Sequence, residues 1–142
     1  MSCFSASAKP IGALRHEVCV NDRHTIVTDE PEQLGGTDTA PAPHELLPAM
    51  VASCVSTMIS LYASRHGWTL AGMHVDVEYD TEQTPRRLAV HLHLPAHLTA
   101  EQVDRLRRVA DTCPVRRAFE AGFEFEEDIE LDAGAAEAVP AR

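Results

Sequence analysis

Two of the four cysteines stand where a thiol can do chemistry. Cys54 lies inside ELLPAMVASCVSTMISLY, residues 45–62, within a run that carries no charge from Leu46 to Ser64. Cys113 opens CPVRRAF, with a proline after it and Arg116 and Arg117 close behind. A peroxide-reducing site needs three things: a thiolate that attacks one peroxide oxygen, a positive or hydrogen-bonding group that holds it, and a second thiol that traps the sulfenic acid. These segments supply the thiols and cationic candidates. Apolar walls around Cys54 would favour an organic hydroperoxide and keep water from the intermediate. The competing reading is that both cysteines are small core hydrophobes.

Other candidates lie around this pair. Arg15 and Arg23 fall in a segment that reads as a hairpin, from which either could reach a thiolate. Glu45 precedes Cys54 by nine residues and also suits a helix N-terminus as a negative charge. His44 and His66 stand at the two ends of the apolar run. His91, His93 and His97 make a metal candidate, because alternate strand positions put His91 and His93 on one face and neutral imidazoles bind zinc or copper.

The elements that must carry these residues follow from periodicity. RHEVCVNDRHTIVT, residues 15–28, alternates around Asn21-Asp22 and predicts a first hairpin. GGTDTAPAP, 35–43, is a turn-rich loop. Leu47, Met50, Val51, Cys54, Met58 and Leu61 recur at helical spacing, which predicts a helix ended by Gly67 with Cys54 on its most apolar stripe. Pro48 implies either a kink or a regular helix that starts near Leu47. MHVDVEYD, 73–80, and LAVHLHL, 88–94, predict a second hairpin across a turn containing Pro85. Thr99 and Gln102 form a capping box for a helix that leads toward Cys113. Pro114 suits the first position of a further short helix, leaving Cys113 near its cap, where free N–H groups and the two arginines would lower a thiol pKa. FEFEEDIEL, 123–131, reads as a closing strand, and the tail 133–142 as disordered.

Composition bounds the rest. A chain of 142 residues suits one domain, placed at 1–132. Acidic residues outnumber basic ones 22 to 12, for a formal charge of −10, so the overall field opposes binding of a nucleic-acid backbone. The start lacks the basic head and apolar core of a secretory signal, and a cytoplasmic location is expected. In that compartment the cysteines are free, metal-bound or catalytic rather than structural bridges. The apolar run matches the roughly 20 residues of a membrane span, but it holds Pro48 and several serines and lacks flanking anchors, so a buried central helix is expected instead. One sheet could not cover so apolar a helix, which predicts two protomers sharing their cores in an α+β dimer.

The segment GGTDTAPAPHELLPAMVASCVSTMISLYASRHGW, residues 35–68, resembles the signature of the OsmC/Ohr proteins, osmotically inducible protein C and the organic hydroperoxide resistance proteins. CPVRRAFEAGFEFEEDIEL, 113–131, is similar to the second cysteine segment of that family, and the likeness spans about residues 10–132. The resemblance implies an intertwined α+β homodimer, with antiparallel sheets packed around long central helices and two sites at its interface. It implies that Cys54 is the peroxidatic thiol and Cys113 the resolving one, with the disulfide between them reopened by a dithiol, often lipoyl-linked, and no other cofactor. It further implies an arginine at the thiolate, here Arg15, oriented by Glu45 or His44. The pattern departs at one place. The peroxidases have glutamate directly after the proline, whereas here His44 follows Pro43 and Glu45 comes one position later, as in the OsmC-like branch. The alternative function is a non-catalytic dimer that binds or senses an apolar small molecule.

Overall fold

The computed structural model of the protein describes residues 3–131, so the tail at 133–142 lies outside the described residues. The chain opens with an antiparallel three-stranded sheet in the order β1 (Ala6–Gly12), β2 (Arg15–Val20), β3 (His24–Thr28). The β2–β3 hairpin forms where expected. Asn21 and Asp22 both take positive φ, 51° and 53°, the combination that a tight turn between twisted strands requires. The Asn21 side chain also accepts the Ser5 N–H at 2.9 Å, tying the start of the chain to this turn. Strand β1 was not expected. Its ASAKPIG composition has little β-propensity, and its pairing with β2 is broken by a register shift between Pro10 and Gly12.

A loop with a 3-10 turn at Glu32–Leu34 leads to a second 3-10 turn at Pro43–Glu45 and then to α1, Leu46–Arg65. Helix α1 is continuous from Leu46, and Pro48 sits in its first turn, where a backbone N–H has no intrahelical partner to lose. Gly67 stops it at φ 68°, and the Trp68 N–H returns to the Ala63 carbonyl at 2.9 Å. By length and composition this helix could cross a membrane. In the fold one of its sides carries the core.

Strands β4 (His74–Asp80) and β5 (Arg87–His93) form the second predicted hairpin, in register from His74 opposite His93 to Asp80 opposite Arg87. Val75 and Val77 on β4 and Leu88, Val90 and Leu92 on β5 pack against the core, while the alternate residues face outward. Helix α2 (Ala100–Asp111) has the expected capping box. The Gln102 N–H reaches Thr99 Oγ1 at 3.2 Å, and Gln102 Oε1 accepts the Thr99 N–H at 2.8 Å, so two otherwise unpaired donors are satisfied reciprocally. Helix α3 (Pro114–Ala121) begins at the predicted proline, whose fixed φ suits a first helical position.

The core joins Val51, Val55 and Ile59 of α1 to Leu106 and Ala110 of α2 and to Cys113, with the β4–β5 sheet closing it. The buried stripe of α1 is thus Val51, Val55, Ile59 and Ala63 rather than the one centred on Cys54. Because α1 is apolar nearly all round, spacing alone does not select which side meets the sheet. Met50 and Leu61, on the other apolar side, are 44% and 49% exposed within the protomer.

One expected element is missing. Residues 123–131 make no strand, because no strand among the described residues pairs with them. Phe125, Ile129 and Leu131 are accordingly 86%, 84% and 93% exposed.

Candidate active site

Cys54 and Cys113 are brought together from different elements. Ile59, Leu106 and their neighbours pull α1 against α2, and the turn after α2 lays the start of α3 on α1. Cys113 is fully buried at the N-cap of α3, its Sγ accepting the Arg116 N–H at 3.5 Å. Cys54 is half-buried and free, as is Cys113. At about 100° per residue Cys54 falls about 60° from Val51, on the border between the buried stripe and the open apolar side of α1. That border position lets one thiol meet both the core and a visitor from outside.

The surroundings of Cys54 are apolar. It opens on a shallow depression of about 430 Å³ walled by Ile26 of β3, Leu46, Ala49, Met50 and Ser53 of α1, and Val115 of α3. Burial, and after it the hydrogen bond with Cys113, push the Cys54 thiol above the ordinary cysteine value of 9.0, while the Val115 N–H pulls it down to a lesser degree. Loss of hydration disfavours the charged form, so within the protomer Cys54 is a thiol at neutral pH. Of the expected cations, Arg116 turns away from both sulfurs: its side chain binds Asp111 at 2.7 Å and Glu120 at 2.9 Å.

The other candidates lie apart from this depression. Glu45 Oε2 accepts the Ala42 N–H at 2.8 Å and so closes the 3-10 turn before α1. His44 meets Tyr79 edge-on at 5.5 Å, and both residues line a different hollow with Glu45, Pro48 and Thr81. Arg15 begins β2. Strand alternation puts it on the sheet face opposite to that of Val18 and its partner Ile26, the residue of this sheet that walls the depression at Cys54. Its Nε is buried and has no hydrogen-bond partner among the described residues. The proposed histidine trio is not assembled, because His97 lies in the turn after β5. Among the described residues the metal-ligating side chains that converge are His74, Asp76 and His93.

A further residue organises the approach to α1 and carried no periodic signal. Asp29 is fully buried, and its carboxylate accepts from Thr37 Oγ1 at 2.5 Å, Thr39 Oγ1 at 3.0 Å, and the backbone N–H groups of Glu30, Thr37 and Thr39. The Thr37 hydroxyl above all, with the backbone donors, holds its pKa well below the ordinary 3.8 against the opposing effect of burial, because each donor favours the charged form. Gly36 lets the loop close on itself, since a Cβ there would meet the Glu30 carbonyl oxygen at 1.8 Å. The Gly-Gly-Thr-Asp-Thr run was the visible trace of this clamp.

Comparison with known proteins gives the same architecture. The chain superposes with a TM-score of 0.68 and 25% identity on a Psychrobacter arcticus protein designated an osmotic stress induced and detoxification response protein, covering 82% of this chain and 88% of that one. An organic hydroperoxide resistance protein OsmC from Legionella pneumophila follows at TM-score 0.59, 23% identity and coverage of 82% and 88%. The organic hydroperoxide resistance protein of Elizabethkingia anophelis gives 0.59, 21%, and coverage of 82% and 87%. No curated protein matches the sequence. The sequence matches the OsmC-like protein family over residues 36–128, a stretch that holds Thr37 and Thr39 of the Asp29 loop, both cysteines and all of α1, α2 and α3, and the chain belongs to that family.

Proposed function

We propose that this OsmC-like protein is a thiol-dependent peroxidase that reduces organic hydroperoxides to alcohols. Cys54, as thiolate, attacks one oxygen of the hydroperoxide; the O–O bond breaks, the alkoxide takes a proton and leaves as the alcohol, and Cys54 becomes a sulfenic acid. The Cys113 thiol then attacks the Cys54 sulfur, forming the disulfide and releasing water. A dithiol, such as a lipoyl-linked one, reopens the bridge by two exchange steps and is itself oxidised to a disulfide. The observation that carries this reading is the meeting of Cys54 with buried Cys113 at the edge of an apolar depression that an alkyl group can enter.

The positive charge that the thiolate needs is assigned to Arg15, and a second copy of the chain supplies the geometry. The pleat aims Arg15 away from the sheet face that meets its own Cys54, and its Nε is a buried donor without an acceptor among the described residues. A homodimer that buries the open side of α1, with Met50 and Leu61, would bring Arg15 toward the partner's thiol. His44 or Glu45 orients that arginine. The domain spans 1–132, and the protein works in the cytoplasm.

A raised Cys54 pKa and a Glu45 already engaged in a turn favour a second reading, a non-catalytic dimer whose interfacial depression holds an apolar small molecule. The deciding experiment is peptide mapping of the reduced protein within seconds of adding an equimolar amount of cumene hydroperoxide, beside hydrogen peroxide and beside Cys54→Ser. Formation of a Cys54–Cys113 disulfide, faster with the organic peroxide and lost in the variant, supports the peroxidase. Thiols still free after minutes support the binding dimer.

A further inference from the structure

We propose that the outward face of the β4–β5 hairpin is a binding site for a divalent transition metal of the zinc class, with His74, Asp76 and His93 as ligands. The site is distinct from the thiol pair, which lies on the core side of that hairpin.

The register builds it. His74 and Asp76 are alternate residues of β4 and so share its outer face, and His93 of β5 stands directly opposite His74. The two imidazoles stack in parallel, 4.1 Å apart and 5° from coplanar orientation. Both present Nε2 to the same oxygen: Asp76 Oδ2 lies 2.9 Å from His93 Nε2 and 4.0 Å from His74 Nε2. All three ligand atoms fall within 4.8 Å of one another. A tetrahedral zinc with bonds of about 2.1 Å holds its ligand atoms about 3.4 Å apart; because the ion lies near the plane of each imidazole that binds it, one ring must turn out of the parallel stack to complete the set.

Hydrogen bonding prepares one ligand in advance. His74 Nδ1 donates to the Gly72 carbonyl at 3.2 Å. That bond fixes the tautomer and leaves the Nε2 lone pair free to bind an ion. Without an ion, His74 Nε2 lies 4.0 Å from the carboxylate oxygen, beyond hydrogen-bond distance, and only His93, at 2.9 Å, gives Asp76 a proton to bind. A metal ion replaces that single proton and satisfies all three groups. Two imidazoles with one carboxylate select zinc, nickel or copper over magnesium or calcium, which prefer oxygen alone. Three protein ligands leave a fourth position for water. All three residues are exposed, so the ion enters directly from solvent.

The test is titration of the reduced, tag-free, full-length protein with zinc chloride, read by native mass spectrometry and calorimetry. The expected result is about one zinc per chain, with affinity falling more than about tenfold in His74→Ala and in His93→Ala. His91→Ala, on the same face but outside the ligand set, and the Cys54→Ser/Cys113→Ser double variant retain binding, and magnesium chloride gives none. In the long-range 1H–15N spectrum the Nε2 resonances of His74 and His93 shift on zinc addition. Zinc binding that survives both histidine variants, that disappears with the cysteines, or that is absent at micromolar zinc overturns the proposal. The histidine variants are at solvent-facing positions, and circular dichroism of every variant, the double cysteine variant included, checks that the fold is retained.

Discussion

Cys113 caps α3 with its sulfur on the Arg116 N–H at 3.5 Å, and that same sulfur bears on the thiol of Cys54. One buried atom thus links the start of a helix to the reactivity of a residue on another. Burial and Cys113 both raise the Cys54 pKa, so Cys113 acts on Cys54 before any oxidation occurs.

Replacing Cys113 by alanine removes the hydrogen bond and the charge interaction that disfavour a Cys54 thiolate, leaving burial as the remaining upward cause. The pH midpoint of iodoacetamide alkylation at Cys54 is expected to fall in Cys113→Ala. In Arg15→Ala the midpoint is expected to rise, because a cation favours the thiolate. A midpoint unmoved by Cys113→Ala would refute the coupling of the two thiols.

Asp29 gives the loop before α1 an acid-sensitive anchor. Its pKa is depressed in the folded chain, so its contribution is complete above the unfolded value near 3.8. That contribution drains away as pH falls below the unfolded value toward the folded one. Urea unfolding of the wild type is expected to weaken below pH 3.8, and Asp29→Asn, already lacking the charge, is expected to be less stable at neutral pH and flatter through the acid range. Parallel pH profiles for the two proteins would dismiss the anchor.

Two glycines separate backbone freedom from space. At Gly36 an added Cβ lies 1.8 Å from the Glu30 carbonyl oxygen. Gly36→Ala must therefore shift the backbone, and the overpacking is expected to cost more than about 2 kcal/mol. At Gly67 nothing lies within 4 Å of the added atom. Gly67→Ala should cost only what a left-handed residue costs, about 1 kcal/mol. Chemical denaturation of both variants orders them; equal losses would contradict the close approach at Gly36.

A charge on the open side of α1 should separate the proposed dimer while sparing the protomer core. Met50→Lys and Leu61→Lys place ammonium groups at positions that are 44% and 49% exposed in one protomer and that the proposed dimer would enclose. Sedimentation velocity is expected to show the mass of one chain for the variants and of two for the wild type. A wild type that sediments as a single chain would remove the second copy from the site.

Local patterns carried most of this fold. The Thr99–Gln102 box, the Asn21-Asp22 turn and the proline start of α3 are fixed by residues a few positions apart, and all were legible in the sequence. Relationships across elements were not. The buried side of α1 is chosen by packing among several apolar stripes, and the alternation of residues 123–131 finds no neighbouring strand among the described residues. The cysteine pair stood out by its setting, one thiol in an uncharged run and the other before a proline and two arginines, and its two segments also resemble a family. The cluster of His74, Asp76 and His93 depends on strand register, whereas spacing along the sequence points only to His91, His93 and His97.

The division of the strands into a local three-stranded sheet and a separate hairpin has a kinetic consequence. Every strand pairs with its neighbour in sequence, so each sheet can form within microseconds to milliseconds without waiting for distant chain. What remains is the joining of preformed pieces. If that joining is between two copies, refolding after dilution should show a fast phase indifferent to protein concentration and a slower one that accelerates with it.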